Sequence, residues 1–227
     1  MKILAIETAT EACSAALLIN DEVIERFQVA PREHGNLILG MVDELLKQAD
    51  VSLQQLDALA FGRGPGSFTG VRMATGVIQG LAFSADLPVA AVSTLAAVAQ
   101  QVVAEAQGTT VYSALDARMG EVYWAEYQLL DGQLHAVGEE RVIAPDKIHV
   151  EAVSHAIGIG HGWDTYRDVL TQQVNAGQLK VLPTALPRAK EVVQLARGMV
   201  GNGQLVSADN ALPVYLRDNV AKKKAQQ

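Results

Sequence analysis

Short apolar runs, each closed by a turn or an acid, alternate along the chain with stretches whose apolar residues recur every three or four positions. That is the pattern of strands interleaved with amphipathic helices. Ile3 to Glu7 and Ala12 to Ile19 predict two strands, and Asn20-Asp21 turns the chain into a third, Val23 to Val29. Helical spacing then covers Glu33 to Gln48, Phe68 to Ala85 and Thr94 to Gln107, with strands predicted at Leu56 to Phe61 and Pro88 to Val92. Past Thr109 the opening pattern returns: Val111 to Leu115 ends in Asp116, Glu121 to Leu129 follows, and Asp131-Gly132 turns into Gln133 to Val142. Glu7 and Asp116 hold equivalent places, and duplication of an α/β unit is the economical reading. The remainder predicts a strand at Ala156 to Ile159 and helices at Thr165 to Asn175 and Arg188 to Gly201. Two α/β lobes, residues 1–108 and 109–227, should meet near Glu105 to Thr110 without a long linker and be closely coupled.

Two helices of the first lobe carry more apolar surface than one sheet can cover. Leu37, Ile38, Leu39, Met41, Val42, Leu45 and Leu46 spread over an arc of roughly 200° when projected at about 100° per residue. In the next helix Met73, Gly76, Gly80 and Phe83 form a strip beside the core-facing set. Glycine inside a helix costs about 1 kcal/mol relative to alanine, so Gly76 and Gly80 need a compensation such as the close approach of another helix. Either both faces are buried internally or they form a partner surface, isologous in a homodimer and open to a related lobe of another protein.

The stretch Gly62-Arg63-Gly64-Pro65-Gly66-Ser67-Phe68-Thr69-Gly70 links a predicted strand to a helix, with Ser67 or Thr69 placed to cap it. Gly64, Gly66, Ser67 and Thr69, with Glu7 and Asp116, form a candidate anion- or nucleotide-facing loop; a plain tight connection is the alternative. The loop is neither a P-loop nor a dinucleotide fingerprint. A catalytic inventory is thin. His34, His135, His149, His155 and His161 lack metal-ligand spacing, Cys13 lies mid-strand in an apolar context, and no nucleophile, base and acid can be grouped. Neither a catalytic residue nor a metal site is expected.

The 227 residues are 49% apolar, ample for a core, and the net charge of −7 argues against tight binding of the chain alone to nucleic acid. Four apolar positions precede Glu7, too few for a signal peptide, and no run reaches membrane-spanning length. With Cys13 as the single cysteine, the cytoplasm is the simplest address.

Four segments together resemble the bacterial TsaB (YeaZ) family: Ile3-Leu4-Ala5-Ile6-Glu7-Thr8-Ala9-Thr10, Gly64 to Arg72, Asp116-Ala117-Arg118-Met119-Gly120-Glu121-Val122-Tyr123, and Pro213-Val214-Tyr215-Leu216-Arg217. The resemblance implies a duplicated two-lobe actin-like, Hsp70-like and sugar-kinase-like (ASKHA) fold. It further implies a non-catalytic subunit in the making of threonylcarbamoyladenosine in tRNA. Its partners would be the catalytic paralogue TsaD and the ATPase TsaE, with a homodimer when alone and tRNA contacted through the complex. No cofactor is expected of the chain itself, with ATP or ADP confined to the assembled complex. The His-x-x-x-His metal motif of TsaD would fall here on Thr94 and Val98. The same resemblance places the TsaD and homodimer contacts on the first-lobe helices, with Leu37, Met41, Leu45, Met73, Gly76, Gly80 and Phe83 as interface candidates. A degenerate ATPase or kinase of the same fold, acting alone, is the alternative.

Overall fold

The computed structural model describes residues 1–104, 108–130 and 132–217. Its first sheet is built from β1 (Lys2–Glu7), β2 (Ala12–Ile19), β3 (Glu22–Val29), β4 (Ala58–Gly62) and β5 (Val89–Val92) in the order β3-β2-β1-β4-β5. The pairs β1–β2 and β2–β3 are antiparallel, whereas β1–β4 and β4–β5 are parallel. The second sheet comprises β6 (Thr110–Arg118), β7 (Glu121–Leu130), β8 (Gln133–Ile143), β9 (Val153–Ile159) and β10 (Ala176–Leu182), and repeats that order and sense, β8-β7-β6-β9-β10. Duplication, anticipated from Glu7 and Asp116, therefore extends to all five strands of each lobe, the duplicated architecture of the ASKHA fold.

Helices cover both faces of each sheet, which is why β1 and β4 read as apolar runs without polar alternation. Along β1, Leu4 and Ile6 face the layer of α1 (His34–Gln48) and α2 (Phe68–Ala85), while Ile3 and Ala5 face α6 (Ala189–Gly201). On the second sheet, α3 (Thr94–Gln100) brings Leu95, Val98 and Ala99 onto Val111, Leu115 and Tyr127. The short helices α4 (Gly162–Thr165) and α5 (Arg167–Gln173) close the other face around Tyr112, Trp124 and Trp163. The Tyr112 and Trp124 rings stack at 5.3 Å, and the Trp163 indole N–H donates to the Tyr112 carbonyl at 3.0 Å.

Chain order and lobe membership part company at two helices. A cut at residues 108 and 109 separates the sheets, yet α3 precedes the cut and packs on the second sheet, while α6 follows it and packs on the first. Ser14 of β2 accepts the Ala189 N–H that begins α6, at 2.9 Å, and the neighbouring Arg188 pairs with Glu25 of β3. Three local expectations also change. The helix expected from Thr165 to Asn175 is broken at Tyr166 into α4 and α5. β10 is a strand where none was expected, and the end of the helix expected to reach Gln107 lies outside the described residues.

Candidate functional site

The glycine-rich loop is held by the turn that follows β1. Ser67 donates its N–H to the Ala9 carbonyl at 2.7 Å and caps α2, its hydroxyl accepting the Gly70 N–H at 3.3 Å. Two glycines pack where a side chain cannot: a Cβ at Gly70 would lie 2.0 Å from the Thr8 carbonyl oxygen, and one at Gly62 would lie 1.8 Å from a Glu7 carboxylate oxygen. Gly64 has φ +99° and presses on the Val214 carbonyl. Close packing thus accounts for these three glycines, against backbone at Gly64 and Gly70 and against the Glu7 carboxylate at Gly62, and it holds Gly66 as well, where a Cβ would lie 2.6 Å from the Ala9 carbonyl oxygen. Of the candidate anion-facing residues, Gly66, Ser67 and Thr69 line a cleft of about 910 Å³ between the lobes, with Phe68 and Gly70 beside them.

Glu7 and Asp116 do not act as a pair across that cleft. Glu7 is fully buried, its carboxylate accepting the Ala9 N–H at 2.6 Å and the Thr94 hydroxyl at 3.2 Å. Burial pushes its pKa up to about 7, against these hydrogen bonds. Glu7, beneath the loop, and Gly64, buried within it, do not line the cleft and drop out of the anion-facing set. Asp116 does reach the cleft, but its carboxylate is taken up locally by the Arg118 N–H at 2.8 Å, the Arg118 guanidinium at 3.0 Å and the Tyr166 hydroxyl at 3.4 Å.

Two of the histidines without metal-ligand spacing, His34 and His161, line the cleft instead. His34 opens α1 with Nε2 2.8 Å from the Thr10 carbonyl and 3.2 Å from that of Ala12, so that nitrogen carries the proton. His161 Nδ1 accepts the Asp116 N–H at 3.0 Å, which leaves its proton on Nε2. Burial holds its pKa below the usual imidazole range, opposed by Glu11 and Asp116. The segment Gly158 to Gly162 begins in the last residues of β9, as the first glycine loop begins at the end of β4. Its glycines are likewise consumed by packing, Gly158 on the Trp163 ring and Gly160 and Gly162 on Ala114. Among the described residues no three His, Cys, Asp or Glu side chains converge as a metal would require. Cys13 is buried in the first core, and burial raises its thiol pKa to about 11.

The apolar face of α1 and α2 divides. Leu45 and Met41 are core residues, 0% and 8% exposed, which removes them from the interface set: the sheet beneath already covers them. Leu37 and Met73 are half-buried, and Gly76, Gly80 and Phe83 lie on the surface, Phe83 being 85% exposed and Leu39 of α1 55%. A Cβ at Gly76 or Gly80 would meet nothing within 4 Å, so the monomer itself places no steric demand for glycine at either position.

A family model described as TsaD, tRNA N6-adenosine threonylcarbamoyltransferase, matches residues 23–225. The tRNA threonylcarbamoyladenosine biosynthesis protein TsaB of Escherichia coli K12 is 44% identical over 99% of this chain and 98% of its own length. Its counterpart in Haemophilus influenzae is 39% identical over 99% and 97%. The chain belongs to the TsaB (YeaZ) family. The solved structure of YeaZ from Pseudomonas aeruginosa superposes with a TM-score of 0.86 at 45% identity, covering 95% of this chain and 99% of that one.

As a TsaB-family chain it places Thr94 at the start of α3, its hydroxyl donating to Glu7, and Val98 wholly inside the second core. Neither position offers a metal ligand. Sequence reasoning missed several cleft residues, among them Glu11, His34, Met119, His161 and Arg217. A positional signal existed for His161: it sits in a second Gly-x-Gly run after the fourth strand of its lobe, as Gly62-Arg63-Gly64 does in the first. For Met119 and Arg217 no periodicity distinguishes the residue from a surface loop.

Proposed function

We propose that this chain is a non-catalytic subunit in the formation of threonylcarbamoyladenosine in tRNA, pairing through the exposed strip of α1 and α2 with the TsaD-type transferase. The observation that carries this reading is the combination of Gly76, Gly80 and Phe83 on one open helical face, with two glycines that the monomer does not require. Helix-interior glycines that cost about 1 kcal/mol each and fill no steric need at home fit a partner helix that approaches closely. Thr94 and Val98, where the transferase would carry imidazoles, are committed to a hydrogen bond and to core packing. Glu7 is sealed and Asp116 is engaged by Arg118, which leaves the stand-alone kinase or ATPase reading without its pair of carboxylates.

The same face would pair two copies when the transferase is absent. Once joined, a rigid lobe would fix the orientation of the catalytic subunit and complete a surface for the ATPase TsaE, with nucleotide and tRNA engaged by the assembly; the gain is preorganisation. Co-purification with the transferase of the same organism tests the pairing. Phe83→Asp and Gly80→Trp should abolish it while circular dichroism stays unchanged. Retained complex with either variant would overturn the assigned face.

A further inference from the structure

The segment Pro213-Val214-Tyr215-Leu216-Arg217 has no part in the proposed pairing, yet it crosses from one lobe to the other. Its approach begins in the first lobe: Ala211 is buried in the first core, and its carbonyl accepts the Gln79 side chain of α2 at 3.2 Å. Val214 then donates its N–H to the Arg63 carbonyl at 2.8 Å. Three residues on, Arg217 lies against the β6–β7 turn of the second lobe, donating to the carbonyls of Ala117 at 2.8 Å and Arg118 at 3.3 Å and pairing with the Glu121 carboxylate. That turn needs holding, since Arg118, Met119 and Gly120 have φ of 63°, 58° and 80°, and a left-handed conformation is costly for a residue with a side chain.

A second tie converges on the same point. The pairing of Val137 with Glu126 and of Arg141 with Trp124 leaves Gly138 to Glu140 bulging from β8. The bulge carries Glu140 to the Arg63 guanidinium, 3.5 Å away and partly shielded from water. Arg63 thus joins β5 through its N–H to Val92, the crossing segment through its carbonyl and the second sheet through its side chain.

We infer that residues 211–217 form an interlobe strap that, with the Arg63–Glu140 pair, fixes the opening of the cleft, and that Arg63 and Arg217 are positioning residues for it. Pulsed electron–electron resonance between spin labels at Asn36→Cys and His135→Cys, both exposed positions on opposite lobes, reads the opening directly. Diluted into an excess of unlabelled chain, so that label pairs within one copy dominate, the otherwise unsubstituted chain should give one narrow distance, Arg217→Ala a broadened one, and Arg217→Lys an intermediate result because an ammonium cannot reproduce the guanidinium fork. An Arg217→Ala distribution that matches the parent would overturn the strap. So would a broad distribution in the parent. Hydrogen exchange of the unsubstituted chain decides independently of any variant's folding. The Val214 amide should exchange about a thousandfold slower than an unstructured one, and exchange at an unstructured rate would overturn the inference.

Discussion

Glu7 holds a carboxylate where no water reaches it, and the consequence is a dependence of stability on pH that can be given a sign. In the unfolded chain the group has its ordinary pKa of 4.5; in the fold burial raises it to about 7. Below pH 4.5 both states hold the proton and the full stability is present. As pH rises through the interval the unfolded state releases its proton first, so stability falls until about pH 7 and then levels, a loss of about 3 kcal/mol. Urea unfolding at pH 4.5 and pH 8 should therefore show a smaller loss for Glu7→Gln than for the parent. Glu191, raised to about 7 chiefly by burial, shifts both proteins alike and cancels in the comparison. Equal losses would show that Glu7 is not the buried ionising group described. Gly70 gives a second residue-scale prediction. A Cβ there would sit 2.0 Å from a backbone oxygen, so Gly70→Ala should cost about 3 kcal/mol, read as a lowered denaturation midpoint.

At the scale of elements, α2 makes opposite demands at its two ends. Its N-terminus is tied to the β1–β2 turn through Ser67 and Gly70, and Ser67→Ala should cost about 1 kcal/mol by removing the cap. Further along, Gly80→Ala meets open space and should stabilise the chain by about 0.5–1 kcal/mol at concentrations where it is monomeric, while weakening assembly. Destabilisation by that change would mean that the monomer needs glycine there. Long elements with one strong period were legible in the sequence, α1, α2 and α6 among them, as were the two antiparallel hairpins of each lobe. β10 was not: Ala-Gly-Gln-Leu-Lys-Val-Leu has a glycine and a lysine inside it, and its strand state comes from parallel pairing with β9 across a long sequence separation. The α4–α5 break was equally hidden, because Tyr166 fits a helical pattern and only its backbone, at φ −124° and ψ 28°, leaves it.

For the whole molecule, the repeat of Glu7 in Asp116 correctly indicated two copies of one sheet, because the same succession of strand, acid, strand, turn and strand opens both lobes and builds the same three neighbouring strands in each. Which helix serves which sheet could not be read the same way. α3 and α6 each cover the sheet encoded in the other half of the chain, a choice made by complementary surfaces such as Val192, Val193 and Ala196 on Ile3, Ala16 and Leu18. The candidate loop was legible as a strand-to-helix turn, yet its glycines answer mainly to packing, and Glu7, chosen as a cleft carboxylate, lies underneath. On the helical face, the apolar arc of α1 was real but its extent misled. Met41 and Leu45 are held by the core, so Met41→Asp would report on folding and not on pairing. What remains exposed is a narrower strip of Leu39, Gly76, Gly80 and Phe83, flanked by half-buried Leu37 and Met73.

Whether that strip joins a sister subunit is tested most directly by titrating this chain with the TsaD-type transferase of its own organism and following complex formation by size-exclusion chromatography with light scattering. A stable heterocomplex is expected with the parent chain and none with Phe83→Asp, each chain folded. An equally abundant complex with Phe83→Asp, or none with the parent, would contradict the pairing.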